Sequence, residues 1–142
     1  MKRTLWSLVL ILFFAQGCAV NGPGTPKSCK ERLEGATWQL AVIDNDPVVT
    51  LKNPATLKFG KDGKIGGFDG CNSYFGKAEW NDSEITFGPI GSTRRFCRGE
   101  AGSVERAMLT MFKGTKWWQF DAKERLVIFD DEHRLIFEPK VQ

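Results

Sequence analysis

The chain has 142 residues, with 20 Lys and Arg against 17 Asp and Glu, a formal net charge of +3. Lys2 and Arg3 lie in an apolar N-terminal segment, so from residue 18 onward 18 basic side chains face 17 acidic ones. A near-neutral chain of this length accommodates one domain and lacks the clustered basic footprint of a nucleic-acid binder.

Leu5–Ala15 (LWSLVLILFFA) is an almost wholly apolar run behind Lys2 and Arg3. It is far shorter than the roughly 20 residues of a membrane span, but it suits the core of a signal peptide. Ala15-Gln16-Gly17-Cys18 then resembles a bacterial lipobox, in which small residues precede a cysteine that is lipidated and becomes the new N-terminus. Ala15 stands where leucine is commonest, and an ordinary secretory signal with an incidental cysteine is the alternative. The expected organisation is a signal peptide over 1–17, lipidated Cys18 and a tether over 18–32, and a folded domain over 33–142. Acyl chains such as palmitate on Cys18 would hold the protein on a membrane. Given a Gram-negative source, Ala19 after the cysteine points to the outer membrane, with the domain facing the periplasm.

Residues 19–30 (AVNGPGTPKSCK) are rich in Pro, Gly and small polar residues, without periodicity. Strands follow. Thr37–Ile43 places Trp38, Leu40 and Val42 on one face, and Ala55–Phe59 pairs Leu57 with Phe59. Asp62-Gly63 predicts a tight hairpin turn into Ile65–Phe68. Further strands are expected at Gly76–Trp80, Glu84–Phe87, Trp117–Phe120, Leu126–Phe129 and Arg134–Phe137, with turns at Asn81–Ser83 and Asp130–His133. Ser103–Phe112 has the helical period instead: Val104, Ala107, Met108, Met111 and Phe112 form one apolar stripe. The expected fold is α+β but mostly β, a curled antiparallel sheet or small barrel with one helix packed against an opening.

Three elements carry a family resemblance. "ATLKFGKDGKIGGFDGCNSYFG" is similar to the Thr-Leu-x-Phe and Gly-Cys-Asn-x-Tyr-x-Gly core of the META domain, or HslJ-like, family. "FGPIGSTRRFC" with Glu105 in the following helix resembles its Thr-Arg…Cys element, and "LVIFDDEHRLIFEP" its closing hairpin. The matching motif residues are Gly70, Cys71, Asn72, Tyr74, Thr93 and Arg94. The resemblance implies a compact β-rich fold in a bacterial envelope protein and no established enzyme activity; ties to heat shock, antibiotic tolerance and secretion are loose. Cys29, the pair Trp117-Trp118 and the glycine and charge of "RRFCRGEAGS" depart from the family pattern.

The chemistry weighed against that background is sparse. Cys71 and Cys97 lie in the matching loop motifs and are expected to form a disulfide in an oxidising periplasm. Cys29 is left in the tether, free or bonded between molecules. The alternative is a thiol-dependent enzyme with Cys71 as nucleophile, Asn72 nearby and His133, the one histidine, as base; it requires the 130–133 turn to fold back onto the loop. Asp44–Pro47 and Asp130–Glu132 could attract calcium weakly but read as turns, and no metal or cofactor is expected. One tryptophan of Trp117-Trp118 should face inward and one outward, a possible binding surface for an envelope protein; a small apolar ligand in the mouth of the sheet is the other partner considered. In Gly66–Gly76, the glycines suit a strand corner in which Asn72 pairs with local backbone and Phe68 and Tyr74 pack.

Overall fold

The computed structural model describes residues 28–140; the expected signal peptide, Cys18 and the tether up to residue 27 lie outside them. Nine strands run β1 (Thr37–Ile43), β2 (Asp46–Pro47), β3 (Thr56–Phe59), β4 (Lys64–Phe68), β5 (Ser73–Trp80), β6 (Glu84–Ser92), β7 (Gly114–Phe120), β8 (Leu126–Phe129) and β9 (Arg134–Pro139). Helix α1 (Cys29–Glu34) precedes them and α2 (Gly99–Met111) joins β6 to β7. The sheet order is β2-β1-β3-β4-β5-β6-β7-β8-β9, every pairing is antiparallel, and β1 also pairs with β9. The short β2 is an appendage on β1, so the other eight strands close an up-and-down barrel. An even count is what allows first and last strands to meet antiparallel, and closure leaves no exposed edge.

Alternation fills the inside. Trp38, Leu40, Leu57, Phe59, Ile65, Tyr74, Ala78, Ile85, Phe87, Trp118, Leu126, Ile128, Leu135 and Phe137 are all buried in one contiguous core. Register shifts between Leu40 and Val42 on β1, and between Gly76 and Ala78 on β5, bend those strands, as a small closed barrel requires. The Asp62-Gly63 turn has φ of 60° and 70°, the left-handed pair a tight hairpin needs.

A helix covers each opening. At the end holding the start of β5, α2 lays Val104, Met108, Met111 and Phe112 onto the core, with the Phe112 ring 4.9 Å from Phe87 and 5.2 Å from Tyr74. The other end receives α1. Its N-terminus is a capping box: Glu31 N donates to Ser28 Oγ (3.1 Å) and Ser28 N to Glu31 Oε2 (2.8 Å). Leu33 is fully buried, its carbonyl accepts from Trp38 Nε1 (2.9 Å), and the Arg32 guanidinium lies 4.1 Å from the Phe120 ring centroid. Residues 29–32, expected in the tether, are thus part of a helix. Six residues are too few to display a period, and packing onto the barrel end stabilises them. No helix of the described residues is long and apolar enough to cross a membrane.

The predicted turns use their acids structurally. Asp130 Oδ1 accepts from the backbone N–H groups of Glu132 and His133, while Oδ2 pairs with Lys116 Nζ at 2.7 Å. The hydrogen bond from Lys116 leads the causes that lower the Asp130 pKa to about 2, aided by the two backbone donors and opposed by desolvation. A carboxylate depressed in the folded state stabilises it fully above the ordinary carboxylate range and loses that contribution as pH falls towards 2. Acid titration followed by urea unfolding should therefore show Lys116→Met losing less stability than the parent over this window. Equal losses would mean that the pair contributes nothing.

Candidate functional site

The Gly66–Gly76 stretch forms the β4–β5 corner, and it is built from the backbone outward. Asp69 is buried; its Oδ1 accepts from Cys71 N (2.9 Å) and Asn72 N (2.6 Å), and Asp69 N donates to Asn72 O (2.9 Å). This is an Asx-type turn, in which a short carboxylate takes the place of a backbone acceptor. Gly70 sits at φ +97°, where a Cβ would meet the Val104 side chain at 3.0 Å, so the corner can lie against α2 only with glycine there.

Asn72 is nearly fully buried and uses its whole amide. Its Nδ2 donates to Arg95 O (3.1 Å) and Glu105 Oε1 (2.8 Å), and its Oδ1 accepts from Arg95 N (2.7 Å) and Thr93 Oγ1 (2.9 Å). The expected pairing with local backbone is corrected here: Asp69 takes that role, and Asn72 reaches 23 and 33 residues along the chain. The Asp69-Gly70 dipeptide carries the sequence signal for this turn. Thr93 adds backbone pairing, donating from its N to Ser73 O (3.0 Å). Tyr74 spans the neighbouring strand β4 to donate its hydroxyl to Thr56 O (2.7 Å), passing Gly67, where any Cβ would collide with that carbonyl. Burial, and then the negative charge of Asp69, raise the Tyr74 pKa well above its ordinary value, so the phenol stays a donor.

The disulfide closes the corner. Cys71 and Cys97 are bonded across a separation of 26 residues, with Cα atoms 5.8 Å apart. Cys71 therefore carries no thiol for nucleophilic attack. His133 stands elsewhere, with Nδ1 3.5 Å from Asp44 Oδ2 beside a groove of about 150 Å³ between α2 and the rim, lined by Ile43, Arg106, Ala107 and Leu135. Among the described residues no cysteine is free, Cys29 included, which removes the free-thiol alternative for it.

Of the family-motif residues, Gly70, Cys71, Asn72, Tyr74 and Thr93 converge on this corner, while the Arg94 side chain is exposed to solvent. The tryptophans divide as strand alternation dictates. Trp118 is 2% exposed and donates Nε1–H to Asn81 O (2.9 Å), so it is no part of a surface; Trp117 is 44% exposed and faces Phe129 outside, with ring centroids 6.0 Å apart.

A closed eight-stranded barrel with a filled interior, capped by two helices and stitched at one corner by a disulfide and a saturated asparagine, defines a small helix-capped β-barrel domain. The chain belongs to the META domain family, whose model matches residues 31–142. It is 30% identical over 99 residues to heat shock protein HslJ of Escherichia coli (strain K12), an alignment covering 68% of this chain and 66% of that relative. The chain thus spans just under two thirds of the relative's length. Two solved NMR structures share the fold at 22% identity. One, of a protein from Burkholderia xenovorans, has a TM-score of 0.62 over 87% of this chain and 96% of that one. The other has a TM-score of 0.67 over 80% and 96%.

Proposed function

We propose that this META-domain protein is a lipid-anchored module of the bacterial envelope that binds rather than converts its partner. In this reading acyl chains on Cys18 hold it to the outer membrane and the barrel faces the periplasm. The observation that carries the proposal is the Cys71–Cys97 disulfide. Structural disulfides persist in oxidising compartments, which agrees with the signal-like N-terminus, and this one occupies the thiol that a cysteine enzyme would need. A barrel filled by side chains favours contact on the outer wall over a ligand in the mouth. The partner is accordingly an envelope protein, with Trp117 the candidate contact, and the HslJ likeness supports a stress-related setting.

Fractionation tests the anchor: Cys18→Ser should move the protein from the membrane pellet to the soluble fraction, and a variant that stays in the pellet ends the lipoprotein reading. Rapid alkylation of Cys71 near pH 7 in unreduced protein would overturn the non-enzymatic half and restore the thiol enzyme.

A further inference from the structure

The loop from β6 into α2 reads Thr93-Arg94-Arg95-Phe96-Cys97-Arg98. Phe96 is 83% exposed, the most exposed large apolar side chain among the described residues, and Phe75 on the outer face of β5 is 70% exposed. Phe75 lies two positions from Ser73, the residue whose backbone holds Thr93. Arg94, Arg95 and Arg98 are exposed, and no carboxylate of the described residues forms an ion pair with any of them. The Arg98 guanidinium stands 5.7 Å from the Phe96 ring centroid.

This loop is not loose chain that happens to carry charge. Its backbone is held at Arg95, whose carbonyl accepts from Asn72 Nδ2 and whose N–H donates to Asn72 Oδ1, at Thr93 by Ser73 and at Cys97 by the disulfide. A clamped loop keeps an aromatic ring in water and carries, within five residues, three exposed arginines without an ion-pair partner among the described residues, an arrangement that self-repulsion and apolar exposure both disfavour in isolation. The rest of the chain is close to neutral, so the charge is local rather than a general property.

We propose that residues 93–98, with Phe75, dock the domain onto an anionic phospholipid surface. The arginines meet lipid phosphates, which the planar guanidinium can engage with two parallel hydrogen bonds. Phe96, projecting from the loop rather than lining a recess, enters the boundary between headgroups and acyl chains. A protruding ring with Arg98 beside it and two more exposed arginines in the same short loop suits that layered surface better than the broad, flat patch a stable protein interface needs. The inference stands on the loop alone and needs no acyl chain. An anchor at Cys18 remains compatible with it: the ten residues from there to Ser28 span at most about 35 Å, more than the roughly 30 Å length of a nine-residue strand such as β6.

Co-sedimentation of the unacylated Cys18→Ser chain with vesicles separates this docking from anchoring. Binding to phosphatidylglycerol vesicles is expected, with little to phosphatidylcholine vesicles and release as salt rises. Each of Arg94→Gln, Arg95→Gln and Arg98→Gln should weaken binding about fivefold, and the triple variant roughly 100-fold. Phe96→Ala should weaken it about tenfold, while Val49→Ala, at an exposed apolar residue away from the loop, leaves it unchanged. Because these side chains are exposed, unfolding midpoints should stay at the parent value, which excludes misfolding as the cause. Equal binding to both vesicle types, or binding indifferent to the triple variant, overturns the proposal. Absence of vesicle binding together with arginine-dependent retention on immobilised polyglutamate also overturns it, and assigns the loop to an acidic protein instead. Failure of the anchor reading would leave all of these outcomes unaffected.

Discussion

Asn72→Ala is expected to destabilise the domain by about 3–4 kcal/mol, lowering the thermal midpoint by roughly 10–20 °C. The amide has two donor hydrogens and an acceptor oxygen with two lone pairs, and all four are engaged at 2.7–3.1 Å. Truncation removes four bonds at once, one of them to the Glu105 carboxylate. It leaves that carboxylate and the Arg95 backbone to find water beside a buried corner. The loss is larger than for an ordinary surface polar residue because three chain segments lose their common partner: the β4–β5 corner, the β6–α2 loop and α2 itself. Asn72→Asp is a sharper variant. It keeps both acceptor bonds but discards the donors and sets a carboxylate against Glu105, so its deficit should grow as pH rises through the carboxylate range. Urea unfolding at two pH values measures both effects. A cost for Asn72→Ala below about 1 kcal/mol would mean that the network only decorates a corner already held by other contacts.

Loss of the Cys71–Cys97 bond is expected to cost a similar amount. Closing a loop with a separation of 26 residues restricts the unfolded chain by about 3.5 kcal/mol in the chain-entropy description. Small domains are stable by only about 5–15 kcal/mol, so the bond is a substantial part of the total. Cys71→Ala/Cys97→Ala should therefore lower the urea midpoint and steepen the slope, because the uncrosslinked unfolded chain exposes more surface; a loss under about 1 kcal/mol would show that the bond is incidental. The two perturbations should also be coupled. Without the disulfide the 93–98 loop is freer to leave Asn72, so Asn72→Ala should cost less in the disulfide-free background than in the oxidised parent. Strict additivity would show that the clamp and the stitch act independently. The same double variant should weaken vesicle binding, since it unfastens the loop that carries Phe96.

Much of this was legible before any coordinates. The alternation in Thr37–Ile43 or Arg134–Phe137 marks strands because a barrel wall has one wet and one dry face. Asp62-Gly63 marks a turn because of the positive φ it needs. The stripe of Val104, Met108, Met111 and Phe112 marks α2 because burial recurs each turn. Other features left no periodic trace. Helix α1 is too short and its start lies in a Pro- and Gly-rich stretch. The C-terminal half of β6, Gly88–Ser92, holds two glycines and a proline and owes its strand form to β5 alongside. That Trp118 rather than Trp117 enters the core is a matter of register, and a one-residue slip would exchange them.

By itself the sequence determined the local grammar of this protein: strand, turn and helix periods, and the motif residues of the corner. These are legible because each depends on neighbours a few positions away. Tertiary structure alone decided the closure of β9 on β1, the reach of Asn72 to Arg95 and Glu105, and the clamped exposure of the arginine loop. Each of these joins residues twenty or more positions apart, and such pairings are selected by the packing of the whole barrel, which no single segment encodes.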